Sequence, residues 1–489
     1  MKRAFAAAPL AILALAAVQG CTEARAQESK VNPETREGIE LTVYSENFAL
    51  VSENRAVDLP AGESTVRVEG VSRMLDQNSV MFSFPGNADV KASSSTYDLG
   101  MDSSGELLSR FLGQKVTLVY RSNTGQPGER QEGTLEVAQP GNIVVRVGDK
   151  YVVNPDATIE APANAGIVTI PQLAATVKST TAAKGAMNVA YLTEGLSWAA
   201  DYTLTLAPGS SDLGMECWAT IQNQSGADYP SAKINFVAGS PNRSVRASRM
   251  EEQLKSYAGA YVDADTEKKP KNEAPAMYGF AAPQALGELY AYPYESTATV
   301  RQNQTNRVLM MSAAQVKAER DYAITLPTFG RWYSDMGDPS HRFQATLGLN
   351  FANSDKAGLG QPLPMGSVRV YEPSTGGAPV YIGAAGIGNT PKDGKVHLTL
   401  SDVFDIYATA KIVKKRAIDK RRSEYSFEAV IHNEKKQAMD VRLVQSFYDK
   451  FVFSAQSVKG KKMPNGTTEW KVNVPAGGET KLTYTVVLS

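Results

Sequence analysis

The densest chemistry in this sequence is a run of cations. Seven of the twelve residues from 411 to 422 are basic: Lys411, Lys414, Lys415, Arg416, Lys420, Arg421 and Arg422. A strand-forming stretch follows at 424–432, so the run reads as a hairpin tip. Such a tip is either a solvated turn or a contact for anionic lipid headgroups or acidic glycans. The rest of the chain does not share its charge. The 489 residues carry 51 Lys and Arg against 51 Asp and Glu, a net of zero. A main partner of duplex nucleic acid calls for a basic excess, so nucleic acid is excluded as the expected partner.

Groups suited to acid–base or nucleophilic work are sparse. The histidines are His341, His397 and His432, and no two have metal-ligand spacing. His397 and His432 fall in predicted strands, as ordinary sheet positions. His341 ends an acid-rich loop, Asp335-Met336-Gly337-Asp338-Pro339-Ser340-His341, from which a loop-built hydrolase site can be drawn. That is the rival to a binding role. No G-x-S-x-G elbow, P-loop or G-x-G-x-x-G occurs. Gly358-Leu359-Gly360 precedes a strand and reads as a shaped connection, with no helix N-terminus to hold phosphate. No catalytic, cofactor or metal residue is therefore assigned.

The two cysteines are Cys21 and Cys217. Cys217 lies in a strand-like stretch and reads as a small buried apolar residue, with no nearby histidine to make it a nucleophile. Trp198, Trp218 and Trp470 sit in alternating strands and are expected in the core. Trp332, in Gly330-Arg331-Trp332-Tyr333, is the one to test for exposure; an exposed flat strip of Trp332 and neighbouring tyrosines would support a glycan-binding module.

Residues 1–26 read as a targeting segment, with Lys2 and Arg3 before the apolar run Ala4–Val18, too short to span a bilayer. Two processing routes stay open. Val18-Gln19-Gly20-Cys21 resembles a lipoprotein signal with Cys21 as the lipidated residue; Ala24-Arg25-Ala26 would release a chain starting at Gln27. Removing 1–26 takes three of 51 basic and one of 51 acidic residues, leaving 48 against 50. No later stretch is long and apolar enough for a transmembrane helix. The expected location is the periplasm, free or lipid-anchored to the outer membrane.

The elements that must position these groups are strands. Leu41–Tyr44 and Phe48–Val51 are short β-rich runs, and the turn Leu59–Ser64 feeds Thr65–Glu69, which alternates at period two. Ser103-x-x-Glu106 has capping-box spacing and predicts one short helix ending near Gly113. Roughly 100–200 residues per domain gives about three or four domains. The expected organisation is a flexible tail at 27–36, an N-terminal β region with the helix at 37–113, and a small SH3-like barrel at 114–162. A sandwich follows at 163–240. Residues 241–305 hold six tyrosines (257, 261, 278, 290, 292, 294) but few branched aliphatics, and are expected as a disordered insertion. Two further sandwiches are expected at 306–401 and 402–489. The fold class is all-β, built of antiparallel sandwich modules.

Several segments resemble a known family. These are Phe48-Ala49-Leu50-Val51, Leu59-Pro60-Ala61-Gly62-Glu63-Ser64, Tyr191-Leu192-Thr193-Glu194-Gly195-Leu196-Ser197-Trp198 and Ala238-Gly239-Ser240-Pro241-Asn242-Arg243. Pro362-Leu363-Pro364-Met365-Gly366-Ser367-Val368-Arg369-Val370-Tyr371 and Val474-Pro475-Ala476-Gly477-Gly478-Glu479 complete the set. Together they resemble the bacterial family built around domain of unknown function 4139. The resemblance implies an exported, β-rich protein without an assigned activity, and it supplies no site residues. The expected function is a non-catalytic binding or structural role in the cell envelope, with an envelope protein, a glycan or an anionic lipid surface as partner. Oligomeric state is not legible.

Overall fold

A computed structural model describes residues 27–31, 35–101, 103–121, 128–163, 168–207, 210, 212–241, 276–330 and 340–489. It is all-β, as the alternation predicts. The chain separates into two units: Met1–Arg36, Arg55–Val71 and Phe82–Asn188, then Glu37–Asn54, Ser72–Met81 and Val189–Ser489.

The first unit holds two sheets. One has the order Gln27–Val31, Gly62–Glu69, Gln172–Ser179, Lys91–Asp98. Val66, Val68, Leu173, Ala175 and Val177 are its buried face. Gln27–Val31 lies parallel to Gly62–Glu69, with Gln27 opposite Ser64 and Val31 opposite Val68. This corrects the flexible tail expected at 27–36. Pairing onto an open sheet edge is a backbone matter and leaves no mark in side-chain polarity. The other sheet is an open half-barrel, ordered Lys150–Val153, Asn142–Val147, Arg130–Gln139, Lys115–Tyr120, Ala157–Glu160. Phe111, Val116, Leu118, Leu135 and Val145 fill it. The helix forms at Ser104–Ser109, where the Ser103 hydroxyl accepts the Glu106 N–H at 3.2 Å.

Three sheets lie wholly or mainly in the second unit. The first runs Gln284–Leu286, Leu289–Val300, Tyr229–Ala238, Arg36–Tyr44, Phe48–Leu59, Ala183–Glu194, Met81–Ser83. The second runs Ala276–Met277, Gln304–Val316, Leu213–Asn223, Leu196–Leu206, Gly366–Pro373, Pro379–Ile387. Aromatic rings fill the space between them. Trp198 meets Phe236 at 5.3 Å and Tyr292 at 6.2 Å between centroids. Its indole N–H donates to the Val237 carbonyl at 2.9 Å. Gly366 lies beside Ala200 in a parallel pair. A Cβ there would fall 2.0 Å from the Ala200 carbonyl oxygen, so only glycine fits this approach.

Three expectations are corrected here. Residues 276–305, placed within the disordered insertion, form strands, and Tyr292, Phe280 and Val300 are buried. Aromatic rings bury as much apolar area as the missing aliphatics, and the pairing with Tyr229–Ala238 is set by distant residues. Residues 242–275, with Tyr257 and Tyr261, lie outside the described residues. Trp218, expected in the core, is only half-buried on the outer face of its strand, under the Arg307 guanidinium at 4.9 Å. Its neighbours Cys217 and Ala219 take the inward positions. The boundary expected near 402 falls inside one 23-residue strand, Lys395–Ala417.

That strand belongs to the third sheet: Phe451–Gln456, Gly478–Leu488, Ser423–Asn433, Lys395–Ala417, Phe343–Ala352, Ala318–Thr325, Met439–Ser446, Thr467–Val474, Lys461–Lys462. It folds over on itself, so that Trp470 stacks on Tyr484 at 4.6 Å and Tyr484 on Phe427 at 4.9 Å.

Buried asparagines tie the corners of these sheets. The Asn433 amide donates to the carbonyls of Gln437, Val474 and Pro475 at 2.8, 3.2 and 3.0 Å, and its oxygen accepts the Lys435 N–H at 3.1 Å. Asn223 donates to Ala227 and Val300 and accepts from Ser225. Asn353 donates to Gln361, Thr390 and Pro391 and accepts from Gly360. All three are at most 1% exposed.

Two predictions follow from this packing. Replacing Asn433 with alanine strips buried carbonyls of their donor. The expected loss is about 1–3 kcal/mol, read as a lower midpoint in urea unfolding. An unchanged midpoint would show that water satisfies the corner. Cys217 is 0% exposed, and burial pushes its thiol up to about 12. It should resist thiol reagents at neutral pH in the folded protein and react fully after denaturation.

Candidate functional site

The cationic run occupies the end of the hairpin formed by Lys395–Ala417 and Ser423–Asn433. Eleven residue pairs zip the two strands together, from Ile406 opposite Asn433 to Ala417 opposite Ser423. Between Ile412 and Lys414 the register shifts by a bulge, leaving Val413 without a partner residue. The bulge decides which way each following side chain points. Lys414 and Arg416 take the outer face, and Lys415 takes the side of Tyr425, with its ammonium 5.5 Å from that ring.

Asp419 builds the turn. Its carboxylate accepts the backbone N–H groups of Arg421 and Arg422, each at 2.8 Å, and the Arg422 guanidinium at 2.7 Å. The Arg421 backbone bond first, then the Arg422 side chain, hold the Asp419 carboxyl below the usual range. A carboxyl lowered in the folded state adds stability above its unfolded pKa and loses it as pH falls. The turn therefore keeps its hold at neutral pH and loosens in acid.

All seven basic residues are exposed, but they are not equally available. Lys411 pairs with Glu428 at 3.0 Å, Arg416 with Glu424 at 3.1 Å and Arg422 with Asp419. Lys481 and then Lys411 hold the Glu428 carboxyl below its usual value. Lys414 and Lys420 have no ion pair among the described residues. Reading the run alone missed the acids. The signal was present: Glu424 and Glu428 are four apart on the returning strand, on one face, where cross-strand partners of a basic strand belong.

The other singled-out residues do not gather. His341 is exposed and meets the Phe343 ring edge-on at 4.7 Å. Asp335, Asp338 and Trp332 lie outside the described residues. The His397 ring nitrogen Nδ1 lies 2.6 Å from the Asn350 side-chain oxygen on a sheet surface. His432 stacks on Tyr407 at 4.7 Å and faces Glu479 at 3.3 Å. Trp198 and Trp470 are buried, as expected. Among the described residues no three His, Cys, Asp or Glu side chains form a group able to hold a metal ion. No helix of the described residues is long and apolar enough to cross a membrane.

A shallow cleft was not foreseen. It is lined by Ser45, Trp198, Ala238–Ser240, Pro364, Met365 and Asn389. Three segments quoted for the family resemblance therefore meet at one place. Their convergence has a structural cause. The Tyr202 hydroxyl donates to the Pro364 carbonyl at 2.7 Å, and the Tyr292 hydroxyl to the Pro362 carbonyl at 3.1 Å. The Asn389 side chain accepts the Met365 N–H at 2.8 Å. The cleft encloses about 290 Å³ of empty space, with the open solvent at its mouth included. Its lining carries two serine hydroxyls and an amide but no titratable group, so it offers neither acid nor base.

Comparison with known proteins fits this picture of a β scaffold without an assigned activity. No curated protein matches the chain. Residues 187–489 match the family model described as Domain of unknown function (DUF4139). The earlier segments at 48–51 and 59–64 lie outside that match. The match spans more than half of the sequence, from the strand before Trp198 to the last residue, and the chain belongs to the DUF4139 family.

Proposed function

We propose that this protein is an exported, non-catalytic component of the cell envelope, which holds rigid β modules and meets an anionic surface through the 411–422 hairpin. The Lys2 and Arg3 start, followed by the apolar run to Val18, supports export. The observation that carries the contact surface is the hairpin itself. It concentrates seven cations on a paired and turn-locked strand end, while the whole chain is neutral. A flexible basic tail would also attract anions, but it would lose entropy on binding. Here the charges are already fixed in place.

The lysines without an ion pair among the described residues dominate, because a paired cation has already spent its field locally. Each Lys or Arg near an anionic membrane surface contributes about 1 kcal/mol. Changing Lys414 and Lys420 together to glutamine should weaken binding to an anionic probe by about tenfold or more. The probes are heparin and vesicles containing phosphatidylglycerol, and binding to both should fall as salt rises. Unaltered binding by the double variant would remove the hairpin from the proposal.

Export is checked separately. Mass spectrometry of the mature N-terminus should show either a lipid-bearing Cys21 or a chain beginning at Gln27. A cytosolic product retaining Lys2 and Arg3 would overturn the envelope assignment.

A further inference from the structure

The geometry points to an anionic lipid bilayer, seated against the end of the nine-stranded sheet, as the partner of the cationic hairpin. This rests on the hairpin reading above and goes further, by choosing lipid over glycan. The end of the sheet is defined by register. Ala417, Ser423, Leu488 and Phe451 stand opposite one another across four adjacent strands. Three strand spacings make this row about 15 Å wide.

Leu488 and Phe451 in the row are buried, but large apolar side chains beside it stand exposed. Ile418, the first residue past it, is 39% exposed; Val452, one residue from Phe451, is 70%; Tyr448, in the connection leading to Phe451, is 71%. Lys450 closes the same end, its carbonyl accepting the Ser489 N–H at 2.9 Å. Cations and apolar groups are thus interleaved on one edge rather than segregated. Single exposed aliphatics need no explanation. Two aliphatics and a tyrosine near one sheet end, among lysines and arginines, match the two layers of a bilayer boundary. Phosphate headgroups pair with the cations, and the boundary beneath takes up branched and aromatic side chains. Long lysine stems lie along apolar surface while their ammonium groups stay with the headgroups. A hydrated acidic glycan would satisfy the charges but leave Ile418, Val452 and Tyr448 in water.

The structure supplies its own control. Val413 is 52% exposed on the same strand. It lies four residues before Ala417, about 13 Å from the terminal row at the usual strand rise, whereas interfacial side chains reach about 5–10 Å deep. An end-on seating leaves it outside.

The experiment compares vesicles of phosphatidylcholine with and without phosphatidylglycerol, with heparin as the acidic-glycan probe, using the full mature chain. Changing Ile418 and Val452 together to serine should weaken binding to the anionic vesicles about tenfold and leave heparin binding unaltered. Val413→Ser should bind vesicles as the parent does. Ile418→Trp should bind them more tightly, since indole favours the interface. Vesicle binding by the Ile418/Val452 serine variant equal to the parent's would overturn the lipid inference, with the charge reading left intact if the Lys414/Lys420 variant still loses both probes. Equal losses from Val413→Ser would show general stickiness and overturn end-on seating. Heparin binding alone would assign the hairpin to a glycan instead.

Discussion

A sheet corner leaves carbonyls with no ladder partner, and in the second unit several of these turn inward. Burying such a group without a donor costs on the order of 1–3 kcal/mol. Asn223, Asn353 and Asn433 meet that constraint. Each sits at or just past the end of a strand and is fully buried, and each spends one amide on two or three carbonyls while its oxygen takes a neighbouring N–H. Asparagine suits the position because it carries donors and an acceptor on a short, uncharged side chain. Aspartate would bring only acceptors. The corner at Asn433 has the most direct consequence for function. It ties the far end of the strand pair whose other end carries the cations, so the hairpin grows from a fixed base.

The aromatic layers do the complementary work. Trp198, Phe236 and Tyr292 fill one interior, and Trp470, Tyr484 and Phe427 fill another. Their polar tips are used rather than left bare. Trp198 donates to Val237, Tyr202 to Pro364 and Tyr484 to Gln445. Burial raises the Tyr202, Tyr292 and Cys217 groups together, so that interior stays neutral and unreactive at physiological pH. The same tyrosines hold the Pro362–Pro364 segment. Its place among the family-like segments thus has a structural cause in the packing.

The proposed activity asks little of chemistry and much of placement. A rigid strand pair, a turn locked by Asp419 and a bulge at Val413 together decide which cations face outward and which lean on the core. Ion pairs on the returning strand then divide the run into neutralised and available members. Seven like charges in sequence become a graded surface, with Val452 of the edge strand Phe451–Gln456 two strands over at the same sheet end.

Period-two alternation determined the all-β class, because each sheet must bury one face and wet the other. Spacing at Ser103 and Glu106 determined the single helix through its cap. Charge density alone marked 411–422. The tertiary structure decided the rest through contacts between residues far apart in the chain. Leu289–Val300 became a strand because Tyr229–Ala238 offered an edge. Gln27–Val31 found its place by backbone bonds that composition does not encode. Trp218 faced outward because its strand placed Cys217 and Ala219 inward. The line expected near 402 vanished into a single strand. Ile418, Tyr448 and Val452 were unremarkable in the sequence, since they belong to two different hairpin segments. Register sets Ala417 and Phe451 at one sheet end, because pairing fixes neighbours across strands that chain order keeps apart, and Ile418, Tyr448 and Val452 lie within three residues of one or the other.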